Sequence, residues 1–179
     1  MDVQKDLNND FNTSNQNNDS IIENQISNIL NDTNYPSFKQ KYRSNSPKDT
    51  KKIAAILAKY LKPGNILILN GELGAGKTVF MSGIANFFDI EDQVSSPTFS
   101  IVNTYTTKEN IQIAHFDLYR LKTIDEFLED IGQDYFQNSI CVIEWGNIIK
   151  ELLPKETIFI DITKDEKDIN IRHLKIWRD

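Results

Sequence analysis

Apolar residues are unevenly spread along this chain, and their spacing marks its elements. Residues 1–45 are mostly polar, with one exception. Ile21, Ile22, Ile26, Ile29 and Leu30 fall on one helical face. Ser20 and Glu23 stand at capping-box spacing ahead of them. The spacing predicts a short helix over 20–31, marginal by itself. The rest of this stretch is too poor in apolar residues to pack a core. Residues 1–45 are therefore expected to be a largely disordered polar extension.

From Ser46 the pattern becomes that of a folded domain, expected over 46–179. Ile53, Ala54, Leu57, Ala58 and Leu61 recur at helical spacing, and Pro63-Gly64 stops that helix. Ile66–Leu69 is an unbroken apolar run, as in a strand buried on both faces. A glycine-rich turn and a helical stretch over 77–88 follow. Residues 100–105 and 111–117 read as strands of a hairpin across the polar turn 107–110. Thr123 and Glu126 form a second capping-box spacing, opening a helix through Leu128. Ile140–Ile143 is another apolar strand, and 157–162 and 169–177 are expected to close the sheet. Strands alternating with helical crossovers predict an α/β fold with a mostly parallel central sheet.

Composition narrows the class. Of 19 asparagines, 11 lie in the first 45 residues, which sets the extension apart from the domain. The formal net charge of −6 argues against a broad electrostatic nucleic-acid binder, and no autonomous nucleic-acid binding is expected. Apolar runs of four or five residues are too short to span a bilayer. The polar N-terminus fits neither a secretory signal nor a transit peptide. A single cysteine, Cys141, excludes an internal disulfide or a multi-cysteine metal site. The expectation is a cytoplasmic protein without membrane contact.

The chemistry concentrates in Gly71-Glu72-Leu73-Gly74-Ala75-Gly76-Lys77-Thr78, which fits G-x-x-x-x-G-K-[ST] at every fixed position. Glycines let the backbone curl until successive N–H groups face one anion. The helix that starts there directs its positive end at the same place. Lys77 would reach the β- and γ-phosphates, and the Thr78 hydroxyl is placed to ligate Mg²⁺. An apolar strand before and a helical pattern after supply the context the motif requires. The expected fold is that of a P-loop NTPase.

Such a loop needs a carboxylate for its metal. Glu144 and Asp117 each end an apolar strand, where ligands of open α/β sheets gather. Either could orient an attacking water. Ser95–Phe99 reads as a loop around Pro97, in which Thr98 either contacts the γ-phosphate or Mg²⁺ or belongs to a structural turn. Trp145 is either core or an interface anchor. His115 and Cys141 read as packed core residues.

Taken together, Gly71–Thr78, Ser96-Pro97-Thr98-Phe99, His115-Phe-Asp-Leu-Tyr-Arg120-Leu121 and Ile143-Glu-Trp-Gly146 resemble the TsaE (formerly YjeE) family. That family is the bacterial ATPase of tRNA threonylcarbamoyladenosine biosynthesis. The resemblance runs from about Ser46 to the C-terminus. It implies a P-loop fold that binds and hydrolyses Mg-ATP. It also implies partnership with TsaD, which transfers the threonylcarbamoyl group to adenosine 37 of certain tRNAs, and with its paralogue TsaB. tRNA would then be met indirectly, through the complex. By the same likeness Thr78 and Glu144 would ligate Mg²⁺, Thr98 and Asp117 would lie near the γ-phosphate, and Trp145 beside the site. Thr50 occupies a place where the family often has a threonine near the nucleotide. The extension before Ser46 departs from the family pattern.

Two other functions share the P-loop. A small-molecule or nucleotide kinase normally clamps its substrates with several arginines, and this chain has four: Arg43, Arg120, Arg172 and Arg178. A nucleotide-gated binding module would use ATP to order the loop at 93–99 without requiring hydrolysis.

Overall fold

Four apolar runs become the parallel centre of one sheet. The computed structural model describes residues 4–31, 39–90, 94–98, 100–130 and 134–178, with backbone alone for 4–17 and 129–130. Among these, seven strands are ordered β1-β7-β6-β2-β5-β4-β3. They are β1 (Gln40–Ser44), β2 (Ile66–Asn70), β3 (Val102–Thr106), β4 (Gln112–Asp117), β5 (Ser139–Glu144), β6 (Ile158–Lys164) and β7 (Arg172–Arg178). β6, β2, β5 and β4 run parallel, while β3 pairs antiparallel with β4 at one edge and, at the other, β7 pairs antiparallel with both β6 and β1. The mixed α/β class and the hairpin expected around 107–110 are both present. Thr107 accepts from the Asn110 amide at 2.9 Å in that turn.

Helices cover both faces of the centre. On one side lie α1 (Gln4–Asn31), α2 (Pro47–Ala58) and α3 (Lys77–Phe87). Their core includes Ile26, Leu57, Phe80 and Ile84, packed on Leu67, Leu69, Val142 and Ile160. On the other lie α4 (Ile124–Asp130), α5 (Asp134–Asn138) and a 3-10 stretch, Gly146–Leu152. Phe116, Phe127, Ile143 and Ile149 form the core there. Each fully buried side chain of this size contributes roughly 1.5–3 kcal/mol relative to exposure. α2 begins where Ser46 caps it, accepting the Asp49 amide at 3.2 Å, with Pro47 at the first turn. α2 and α3 approach closely at Gly83, where an added Cβ would lie 2.7 Å from the Ala54 Cβ. That contact seats the helix that follows the phosphate loop. Thr123 caps α4 as expected, its hydroxyl accepting the Glu126 amide at 3.2 Å, while the Glu126 carboxylate accepts the amide of Lys122, one residue before the cap, at 2.8 Å.

The N-terminal segment differs from expectation. The helix runs over Gln4–Asn31 rather than 20–31, so Ser20 and Glu23 are interior positions and form no cap. Glu23 instead pairs with Lys59 at 3.1 Å, and Asp19 pairs with Lys52 at 2.6 Å. Ile26 and Ile29 are buried in the common core. Gln40–Ser44 is a sheet strand paired with β7, so the sheet reaches back past Ser46 into the segment expected as an extension. The apolar stripe at Ile22–Leu30 finds its partner in α2 and the sheet, which short-range spacing does not reveal.

Candidate functional site

The parallel strands bring their carboxyl ends to one rim. Leu69 of β2 lies opposite Glu144 of β5, and Glu144 lies opposite Asp117 of β4. The glycine-rich loop leaves β2 directly above them. Gly71 has φ +153°, and a Cβ there would come within 2.9 Å of Ala75 and closer still to the Ile162 carbonyl. Gly76, at φ +110°, is the N-cap of α3. Both positions require the left-handed half of backbone space, which glycine enters without penalty.

Lys77 is nearly buried and donates to the carbonyls of Gly71 at 2.9 Å and Glu72 at 3.2 Å. An ammonium has three protons, so one remains for an anion in the loop. Its Nζ lies 3.9 Å from Glu144 Oε2 and 4.6 Å from the centre of the Trp145 ring. Trp145 itself adopts φ +60°. This left-handed turn costs an ordinary side chain roughly 1–2 kcal/mol. It turns the chain immediately after Glu144 and lays the indole against the lysine.

Glu144 has a second partner that its sequence position does not announce. His115 Nε2–H donates to Glu144 Oε1 at 3.1 Å, with both side chains shielded from water. Among the described residues the ring Nδ1 has no hydrogen-bond partner. His115 fixes one carboxylate oxygen and leaves Oε2 facing the loop. It is packed, as the sequence suggested, and it also orients the acid.

Asp117 organises the opposite wall. Its Oδ2 accepts from the hydroxyls of Ser96 and Thr98, both at 2.8 Å, and its Oδ1 accepts the Tyr119 amide at 3.1 Å. The segment 94–98 is thus tied to the end of β4. Ile101, at the end of the same loop, is held at φ +67°, an outlier for a β-branched residue. Its amide donates to the Pro97 carbonyl at 2.7 Å. The expected contribution of Phe99 lies outside the described residues, as does that of Gln93.

These groups line a cavity of about 550 Å³. Of the residues expected in the site, Leu73, Gly74, Gly76, Lys77, Thr78, Thr98, Asp117, Glu144 and Trp145 border it. Gly71, Glu72 and Ala75 shape the loop from behind. Thr50 is not brought there: it is buried, and its hydroxyl shares a 2.8 Å hydrogen bond with Ser44. Tyr119, Ser96 and Val79 also line the cavity, beyond the residues expected as ligands. Arg172 Nε donates to the Ala75 carbonyl at 2.9 Å, and Lys164 donates to the Leu73 carbonyl at 3.0 Å. Both tie the loop to the β6–β7 hairpin, a long-range contact without a local sequence signal. Cys141 is core, and burial pushes its thiol up to about 12. It therefore carries no thiolate chemistry near neutral pH.

The oxygen donors at the rim suit a hard cation. The Thr78 hydroxyl and the Glu144 oxygen that His115 leaves unbonded are of the kind Mg²⁺ takes from protein, the remainder coming from phosphates and water. Among the described residues no helix is long and apolar enough to cross a membrane.

The family model for "Threonylcarbamoyl adenosine biosynthesis protein TsaE" matches residues 44–174. The tRNA threonylcarbamoyladenosine biosynthesis protein TsaE of Bacillus subtilis (strain 168) is 42% identical over 134 residues, spanning 72% of this chain and 82% of its own. The Rickettsia conorii protein of the same name is 43% identical over 119 residues, 66% of this chain and 67% of its own. The crystal structure of Bacillus subtilis YdiB superimposes with a TM-score of 0.64 at 31% identity, covering 80% of this chain and 87% of that one.

Proposed function

The chain belongs to the TsaE family and so takes part in tRNA threonylcarbamoyladenosine biosynthesis, and from that premise we propose that it does so by binding and hydrolysing Mg-ATP in support of a TsaB–TsaD pair. The observation that carries the nucleotide reading is the convergence of Lys77, Asp117 and Glu144 on one cavity under a glycine-rich loop. The partnership rests on the family motifs.

Phosphoryl transfer asks mainly for positioning and charge neutralisation. The loop amides and the free proton of Lys77 would hold the β- and γ-phosphates. Thr78 and Glu144 would hold Mg²⁺, which when bound neutralises phosphate charge. His115 would keep Glu144 aimed at the cation by occupying its other oxygen. Asp117 would hold Ser96 and Thr98 beside the γ-phosphate and orient the attacking water. No arginine lines the cavity among the described residues, and Arg172 is turned to loop carbonyls. Hydrolysis by the isolated chain is therefore slow, and a partner supplies the missing charge or ordering contact.

The test is a rescue experiment. Cells depleted of the protein should lose threonylcarbamoyladenosine from tRNA, measured by mass spectrometry. Wild type should restore it. Lys77→Ala should not, and by calorimetry it should bind ATP about 10- to 100-fold more weakly, the loss expected for a charged hydrogen bond. Full rescue by Lys77→Ala with unchanged affinity would overturn the reading.

A further inference from the structure

The helices leave part of the sheet uncovered. On the face that α4, α5 and the 3-10 stretch cover at the centre, Phe159 of β6 packs at the edge of that core, and no described helix covers the rest of β6, β7 and β1. Strand alternation and register set its side chains in three cross-strand rows. Lys39 precedes β1 beside Trp177, which faces Phe159; Lys41 faces Lys175, which faces Asp161; Arg43 faces His173, which faces Thr163. Tyr42, Leu174, Ile176, Ile160 and Ile162 point the other way, into the core.

The charge on this face opposes that of the chain. Lys39, Lys41, Arg43 and Lys175 stand together in a protein of net charge −6. Among the described residues none of the four has a carboxylate within ion-pairing distance. The facing acid, Asp161, accepts from Asn70 Nδ2 at 3.0 Å. By ideal strand geometry the Cβ atoms of successive cationic residues along β1 are about 7 Å apart, and those of residues facing across strands about 5 Å. Lys39 and Lys175 lie over the Trp177 ring, at 5.5 and 4.9 Å from its centre, and Trp177 stacks on Phe159 at 5.4 Å. The rings stiffen the lysine stems and hold their ammonium groups on one side.

This chemistry selects among occupants. Protein interfaces are depleted of lysine and centre on a desolvated aromatic or arginine anchor. Here three of the four cations are lysines and the aromatic pair is overlaid by two of them. A phosphate backbone, in contrast, is bound by closely spaced exposed cations without any apolar anchor. Against the expectation drawn from the net charge of the whole chain, we propose that the open β6–β7–β1 face binds the sugar–phosphate backbone of RNA directly, tRNA being the RNA that the proposed function implies. The cationic face gives the chain a second contact with the modification machinery, on the same hairpin that ties down the phosphate loop through Arg172 and Lys164. Self-repulsion from the acidic remainder keeps this contact weak and dependent on salt.

The experiment is anisotropy of labelled unmodified tRNA titrated with the full chain at roughly 50 and 200 mM salt, a range that resolves counterion release. Four phosphate contacts give a log–log salt slope of about −3 to −4. Lys41→Glu with Lys175→Glu should weaken binding at least about tenfold and flatten the slope, since each lost contact removes about 0.9 of it. Lys41→Arg with Lys175→Arg should retain binding, because phosphate attraction needs charge here rather than ammonium shape. ATP affinity should stay unchanged in both pairs, which controls for folding. Lys77→Ala should keep tRNA binding, so this proposal and the nucleotide reading fail separately. Undetectable tRNA binding at low salt would overturn the proposal. So would tRNA binding that survives the charge reversal, including the case in which reversal removes a protein partner instead.

Discussion

The parallel centre and the antiparallel wing of the same sheet are built on different terms. β2 and β5 are buried on both faces almost throughout. β1, β6 and β7 alternate, one side in the core and the other toward solvent. Burial on both faces fixes the carboxyl ends of the central strands, and Glu144, Asp117 and the glycine-rich loop stand there. Under the proposed function these acids would face phosphates and would have to be held within fractions of an ångström, and the doubly covered strands provide that rigidity. The wing holds no such rim. Its contribution is a second clamp on the loop, through Arg172 and Lys164, and a face largely left open by the described helices.

The sharpest way to break the comparison is to damage the centre from behind. Phe80 is fully buried on α3, one turn after Lys77. Phe80→Ala should cost about 3–5 kcal/mol through lost burial and a residual cavity. Denaturant unfolding measures it directly, and nucleotide affinity should fall with it because α3 carries the loop. A loss below about 1 kcal/mol would mean that the site does not depend on this packing.

Ile26→Ala sharpens the comparison from the wing side. Ile26 belongs to the polar N-terminal segment yet is fully buried among domain residues. The substitution should cost about 2–5 kcal/mol if α1 is an integral part of the fold. ATP affinity in the folded state should not change, since α1 does not border the cavity. A negligible cost would return residues 1–31 to the status of a loosely attached extension.

The same contrast explains what was legible beforehand. Ile66–Leu69 and Ile140–Ile143 are continuous apolar runs, and such runs announce a buried parallel strand without further context. The loop Gly71–Thr78 is legible because its spacing follows from phosphate chemistry. β1 was not legible: Gln40-Lys-Tyr-Arg-Ser44 has one apolar residue, and β7 determines its pairing from about 130 positions away. α5 has five residues and no buried side chain, too short a signal for periodicity. The role of His115 required knowing that β4 lies next to β5, which places it opposite Val142 and within reach of Glu144. Thr50 shows the converse, since its hydroxyl serves Ser44 rather than the cavity.

The smallest expected effect lies in the wing's own turn. Asp165, between β6 and β7, accepts from His173 Nε2 at 2.8 Å and from the amides of Lys167 at 2.9 Å and Asp168 at 3.1 Å. The His173 hydrogen bond is the main cause, with the two amides adding to it, and the carboxyl is held down to about 2. A depressed carboxyl stabilises the fold while ionised, so its contribution is complete above the ordinary carboxylate range. It fades as pH falls from about 4 to about 2, where the folded state finally takes up the proton. Asp165→Asn should therefore melt slightly below wild type at pH 7, and the gap should close across that acid window. The pair is solvent-accessible and screened, so the gap should also shrink with added salt. A gap that persists unchanged to pH 2 would show that the turn is stabilised by its uncharged hydrogen bonds. The wing would then resemble the centre, held by backbone geometry rather than by surface charge.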